Sequence, residues 1–204
     1  MAKMSCLKAF LPLLSCRNLV VALMCRYWCL GVSYNANLAV KMKIEIRDAK
    51  REDVEIVAWT VLTALDMEQD KTGKFVKSCS EGDSIYSWRN SIMAEVDGKS
   101  VGCLIAYEGS RYQELREKTW PKLWDDMDSD YLRSVGAETR KGEFYLDSMA
   151  LLPESRGHNI GRMLMEYAID KGRRLGCNCS TLLVDCNKPR LEAYYRAIGF
   201  EPYG

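Results

Sequence analysis

The 204-residue sequence holds a single histidine, His158, and its nine cysteines show no paired Cys-x-x-Cys spacing. A histidine-rich zinc site is excluded by that count, and thiolate metal binding is not indicated. Cys177-x-Cys179 and Cys186 therefore read as reduced, mostly packed thiols of a cytosolic protein. There is no basic excess either. The 29 Lys and Arg residues meet 28 Asp and Glu, for a net charge of +1, which gives no support to a nucleic-acid partner. Trp120, Trp124 and Tyr131 accordingly read as core or pocket walls, not as a base-stacking platform. No internal repeat and no low-complexity linker interrupts the chain. What remains is one domain's length of sequence, nearly half hydrophobic, enough for a full-sized core.

One more absence divides the chain. Residues 1–41 contain Lys3, Lys8, Arg17, Arg26 and Lys41 and no Asp or Glu. That segment is +5, which leaves −4 for residues 42–204 of a chain that is +1 overall. Three readings compete for it. A secretory signal would use the apolar run 9–15, but the run is short and Pro12 interrupts it. A membrane anchor needs roughly 18 uncharged residues, which Arg17 and Arg26 preclude. The preferred reading places residues 1–41 outside the fold, with the functional domain at 42–204 beginning on the alternating strand Met42-Lys43-Ile44-Glu45-Ile46-Arg47.

From there the pattern predicts a strand at 44–49 and a helix carrying Val54, Val57, Val61 and Leu65. A less regular stretch at 67–83 holds a second helix. Two apolar runs at 90–96 and 101–107 flank Asp97-Gly98, a strong hairpin signal. Residues 111–135 predict helices broken at Pro121; then come a strand at 143–152, a helix at 160–175, a strand at 181–185 and a helix at 189–197. This order belongs to the α/β class, with a mixed sheet and helices on both faces.

The richest stretch is 146–162, LDSMALLPESRGHNIGR. A strand ends at Pro153, a short glycine-bearing loop follows, and a helix opens with Met163-Leu164, Tyr167-Ala168 and Lys171 in register. The first helical N–H groups have no intrahelical acceptor and the helix dipole adds positive charge, so this is a phosphate site in physical terms. Gly157 and Gly161 allow tight turning and close approach, and Arg156 and Arg162 add cationic donors. No Lys-Ser/Thr follows the second glycine, which disfavours a P-loop. No second βαβ unit follows, which disfavours a dinucleotide fold. A strand, Asn187-Lys188-Pro189, a short helix and Tyr194-Tyr195-Arg196-Ala197-Ile198-Gly199-Phe200 follow instead.

Residues 145–200 resemble the GNAT acyltransferase superfamily, and the resemblance extends back to about residue 44. In that family the pattern R/Q-x-x-G-x-G/A binds acyl-CoA pyrophosphate. The resemblance implies a mostly antiparallel sheet splayed at one parallel pair, with the cofactor in the gap. It implies acetyl transfer from acetyl-CoA to a primary amine by direct attack, without a metal. It assigns the pyrophosphate to Arg156, Gly157, His158, Asn159, Ile160, Gly161 and Arg162, and the pantetheine arm to Met149, Ala150 and Leu151. Tyr195, four residues before Gly199, is the implied acid for the leaving thiolate. A thiol titrates at about 8.5 and a phenol at about 10, close enough for that transfer to be arranged.

Three departures stand beside the resemblance. The family's cofactor-contacting Asn falls on Lys188, so either Asn187 or Lys188 takes that contact. Asn159 stands where the family has Gly. The closing hairpin strand is missing or very short. These departures keep an alternative open, a catalytically weak protein of the same fold that binds acyl-CoA. The base is a choice between Asp147 and Glu143, which the period of two places on one face with Tyr145. The expected setting is cytoplasmic, with acyl-CoA and an amine as partners, no nucleic acid, no membrane, and a homodimer left open. The acceptor is unreadable, but its specificity is expected to lie in residues 67–89 and 111–140.

Overall fold

A computed structural model describes residues 2–6, 42–124 and 129–203. Seven strands form one sheet: β1 (Ala2–Cys6), β2 (Ile44–Asp48), β3 (Ser91–Val96), β4 (Lys99–Glu108), β5 (Glu143–Leu151), β6 (Cys179–Val184) and β7 (Glu201–Pro202). Their spatial order is β2-β3-β4-β5-β6-β1-β7. Every pairing is antiparallel except β5 with β6. The helices are α1 (Val54–Ala64), α2 (Thr72–Ser80), α3 (Tyr112–Leu123), α4 (Ser129–Ser134), α5 (Ile160–Arg174) and α6 (Pro189–Ile198).

The central hairpin forms where Asp97 and Gly98 both take positive φ, 50° and 78°, as a two-residue type I′ turn requires. Along β4, side chains divide between two cores, alternating from Cys103 onward, past a bulge at Val101. Val101, Leu104 and Ala106 face α5 through Ile160, Leu164, Met165 and Ala168. Cys103, Ile105 and Tyr107 face α1, α2 and α3 through Val57, Val61, Leu62, Phe75 and Leu115. The sheet is therefore covered on both faces.

Two features open a gap for a ligand. The parallel pairing of β5 with β6 covers only Glu143↔Cys179, Phe144↔Ser180 and Tyr145↔Thr181. Beyond Tyr145, β5 stays with β4 and parts from β6. A bulge also lies at Asp147, because Ile105 pairs with Ser148 while Ala106 pairs with Leu146. The extra residue reverses the alternation, so Phe144 and Leu146 face the α5 core before it and Met149 and Leu151 face that core after it.

Several expectations change here. The helix predicted to break at Pro121 runs on to Leu123. The missing proline N–H would have bonded the carbonyl of Glu117, an exposed residue whose carbonyl water can serve, so the cost stays low near the helix end. Glu143, a candidate base, is buried and accepts from Lys3, Thr139, Arg140 and Thr181. These donors hold its carboxyl below its ordinary range against the opposing cost of burial, and its side chain does not line the gap. Its role is structural.

The larger correction concerns the amino terminus. Residues 1–41 were expected outside the fold, yet Ala2–Cys6 form β1, paired with β6 from Ala2↔Val184 to Cys6↔Ser180. Residues 7–41 lie outside the described residues. The closing strand β7 is two residues long, as short as expected, and pairs with β1 instead of β6. Met4 is 1% exposed within the α5 core, and Lys3, on the other face, reaches Glu143 at 2.6 Å. Met4→Ala should therefore lower the unfolding free energy by about 2–5 kcal/mol. Urea denaturation of the full chain checks this, and an unchanged midpoint would show that β1 does not contribute to stability.

Candidate active site

Two adjoining cavities occupy the gap between β5 and β6. The first, about 750 Å³, is lined by Met149, Ala150 and Leu151 of β5, by Arg156, Gly157 and Asn159 of the loop, and by Ile160, Gly161 and Arg162 at the start of α5. Thr63, Ala64, Lys188, Leu191 and Tyr194 complete it. The loop works as its composition demands. Gly157 takes φ 82° and Asn159 φ 62°, both left-handed, and Asn is among the few side-chain-bearing residues that tolerate it. Asn159 caps α5, and its carbonyl takes the N–H of Met163. The earlier N–H groups of α5 keep no intrahelical acceptor and suit an anion. A Cβ built on Gly161 would stand 2.9 Å from the Tyr194 hydroxyl, so any side chain there would have to move the tip of that ring. Arg156 donates to the carbonyl of Leu151 at 3.1 Å, tying the loop to the strand.

The second cavity, about 580 Å³, shares Ala64, Met149, Lys188 and Leu191 with the first. Its further lining includes Tyr86, Trp120, Glu138, Tyr145, Asp147, Asp185 and Tyr195. Asp147 sits on the bulge and accepts from Tyr107 Oη at 2.7 Å and Ser148 Oγ at 2.7 Å. Burial pushes its carboxyl up to about 6, against the two hydroxyl hydrogen bonds that lower it. Tyr145 Oη donates to Glu138 Oε2 at 2.7 Å.

Tyr195 is held by the end of α6. Gly199 turns left-handed at φ 110°, and the N–H of Phe200 returns to the carbonyl of Tyr195 at 3.1 Å, a Schellman-type closure. Phe200, 1% exposed, packs edge-on against the Tyr195 ring at 6.0 Å. The Gly-Phe ending thus anchors the tyrosine. Burial pushes its phenol up to about 12.

The family model of the acetyltransferase (GNAT) family matches residues 59–200. The chain belongs to that family. This GNAT protein is an acyl-CoA-dependent N-acetyltransferase whose co-substrate is acetyl-CoA. Among solved structures it is similar in fold to an N-acetyltransferase from Staphylococcus aureus Mu50, with 23% identity, TM-score 0.63, and coverage of 78% of this chain and 92% of that one. A second acetyltransferase matches at 21% identity and TM-score 0.64, covering 78% and 90%. An aminoglycoside N-acetyltransferase in complex with CoA matches at 15% identity and TM-score 0.54, covering 80% and 91%. No curated protein matches the chain. No helix among the described residues of this GNAT protein is long and apolar enough to cross a membrane.

Of the residues singled out from sequence, the first cavity gathers Met149, Ala150, Leu151, Arg156, Gly157, Asn159, Ile160, Gly161, Arg162 and Lys188. The second brings Asp147 and Tyr195 together. His158 and Asn187 are exposed and line neither. Asn187 instead turns with its backbone N–H on Asp185 Oδ1 at 2.9 Å. Sequence reasoning missed Thr63 and Ala64 at the end of α1, and Tyr194, which also lines the first cavity. It also missed Tyr86, Glu138 and Asp185, which no motif marks; only the DC-N-x-P turn hinted at Asp185.

Proposed function

We propose that the first cavity holds acetyl-CoA and the second receives a primary amine, with Asp147 as base and Tyr195 as acid. Acetyl-CoA supplies a thioester, whose acyl carbon is electrophilic and whose sulfur leaves as a thiolate. The observation that carries the reading is the pairing of Asp147 and Tyr195 in one cavity that opens onto the glycine loop. The N-terminus of α5, Arg156 and Arg162 bind the pyrophosphate, and Lys188 takes the place of the family's Asn. Strand β5 beside the bulge offers backbone groups to the pantetheine arm.

No cysteine lines either cavity among the described residues. That supports direct attack by the amine over transfer through a cysteinyl acyl-enzyme. Cys79, Cys103, Cys177, Cys179 and Cys186 are free thiols, Cys186 exposed, which suits a reducing cytoplasm.

Thiol release from acetyl-CoA with a panel of amines tests the reaction, and calorimetry tests donor binding. Gly161→Val should abolish acetyl-CoA binding while the protein stays folded, because the branched side chain grows toward Tyr194, Met149 and Leu151, which line the cavity. Unchanged affinity would remove the loop from the donor site.

A further inference from the structure

The three carboxylates of the second cavity share one state. Several buried or half-buried acids elsewhere are matched to cations: Asp53 and Glu95 to Arg47, and Glu143 to Lys3 and Arg140. Glu138, Asp147 and Asp185 have no ion-pair partner among the described residues. Glu138 has only the Tyr145 hydroxyl, Asp147 only two hydroxyls, and Asp185 only a backbone N–H. The one cation in the wall, Lys188, lies where this cavity meets the donor cavity. Glu138 lies only in the second cavity, with the aromatic walls Tyr86, Trp120 and Tyr145.

Building on the reading above, we propose that the acceptor is a diamine or polyamine: Asp147 takes the reacting nitrogen, and Glu138 with the aromatic walls takes a second ammonium. Tyr145 links the two: it bonds Glu138 at 2.7 Å and lines the same cavity as Asp147, two residues on along β5. An α,ω-diamine can present one nitrogen to each carboxylate; a monoamine leaves one carboxylate unmatched. The aromatic faces add attraction for the second cation without requiring one geometry. Glu138 is held at this station. Buried Arg116 donates to the carbonyls of Leu132, Val135 and Gly136 and lies over the rings of Tyr112 and Trp120, so its charge is spent pinning the segment that carries Glu138.

The test compares 1,5-diaminopentane with 1-aminopentane, using thiol release from acetyl-CoA by the full chain. The diamine should show at least about tenfold higher kcat/KM, the value of one partly exposed charge contact. Glu138→Gln should raise KM for the diamine and bring the two ratios together, with kcat little changed. If both amines turn over equally, or Glu138→Gln leaves the ratio intact, the proposal is overturned while acetyl transfer stands. If neither amine turns over, calorimetric titration of 1,5-diaminopentane into the CoA-saturated protein decides: binding that Glu138→Gln weakens supports the subsite, and no binding overturns it. Failure of acetyl-CoA itself to bind would instead overturn the reading of the donor cavity.

Discussion

Asp147→Asn is expected to lower kcat/KM by about 10²- to 10⁴-fold, the usual contribution of a general base. The wild-type profile should rise with pH around an apparent value near 6, where the Asp147 carboxyl titrates, and this limb should vanish in the variant. The direction follows from the role: only the ionised carboxylate accepts a proton, so activity is lost as pH falls through 6. An alkyl ammonium loses its proton at about 10.4, so transfer to a group near 6 is uphill by about 6 kcal/mol. A turnover of about 10 s⁻¹ has a barrier of about 16 kcal/mol. Roughly 10 kcal/mol remains for attack, so a carboxylate tuned upward is an adequate base where an ordinary one would be poorer.

Stability separates this effect from misfolding. The folded carboxyl titrates above its ordinary value, so its ionisation weakens the fold as pH rises from about 4 to about 6, and that cost is fully present above 6. Asn carries no such charge and can still accept from Tyr107. The variant should be at least as stable at pH 7. If it keeps the wild-type rate and the same acid limb, the base lies elsewhere.

The legible parts of this protein are those where local chemistry permits one conformation. Asp97-Gly98 requires a tight turn, and Gly199-Phe200 a left-handed helix end with a buried ring. The loop from Arg156 to Arg162 needs Gly157 and Asn159 at positive φ to bring the start of α5 to the cavity. Such requirements are written in single residues. Counting by twos grouped Asp147 with Tyr145 and Glu143, and Asp147 and Tyr145 do line one cavity. It could not separate Asp147 from Glu143, which lies where β5 still pairs with β6 and is buried among Lys3, Thr139, Arg140 and Thr181. Strand β1 was invisible for another reason. Five residues, Ala-Lys-Met-Ser-Cys, show too little pattern to mark a strand, and its place is created by β6 and β7 at the far end of the chain. Glu138 and Tyr86 come from irregular segments, where only tertiary packing decides which side chains reach a cavity. Those segments still lie within the stretches expected to set acceptor specificity.

Tyr195→Phe is expected to lower kcat by about 10²- to 10⁴-fold while acetyl-CoA affinity stays nearly unchanged. The ring serves two purposes. It packs against Phe200 and the α5 core, and it lines the second cavity. Phe keeps the ring and loses only the hydroxyl, so stability should be held. Burial makes this phenol a weaker acid than a free tyrosine. Full transfer from about 12 to a thiolate near 8.5 is uphill by about 5 kcal/mol, where a free phenol would face about 2. The hydroxyl therefore stays protonated across the working range and acts first as a hydrogen-bond donor to developing negative charge on sulfur, with transfer completing as the thiolate departs. No fall in activity from Tyr195 ionisation is then expected below about pH 11, unlike the limb near 6 from Asp147. Steady-state rates on an accepted amine, with calorimetry for acetyl-CoA, make the comparison. A Tyr195→Phe enzyme with wild-type kcat would assign the tyrosine to packing alone and leave water to protonate the thiolate.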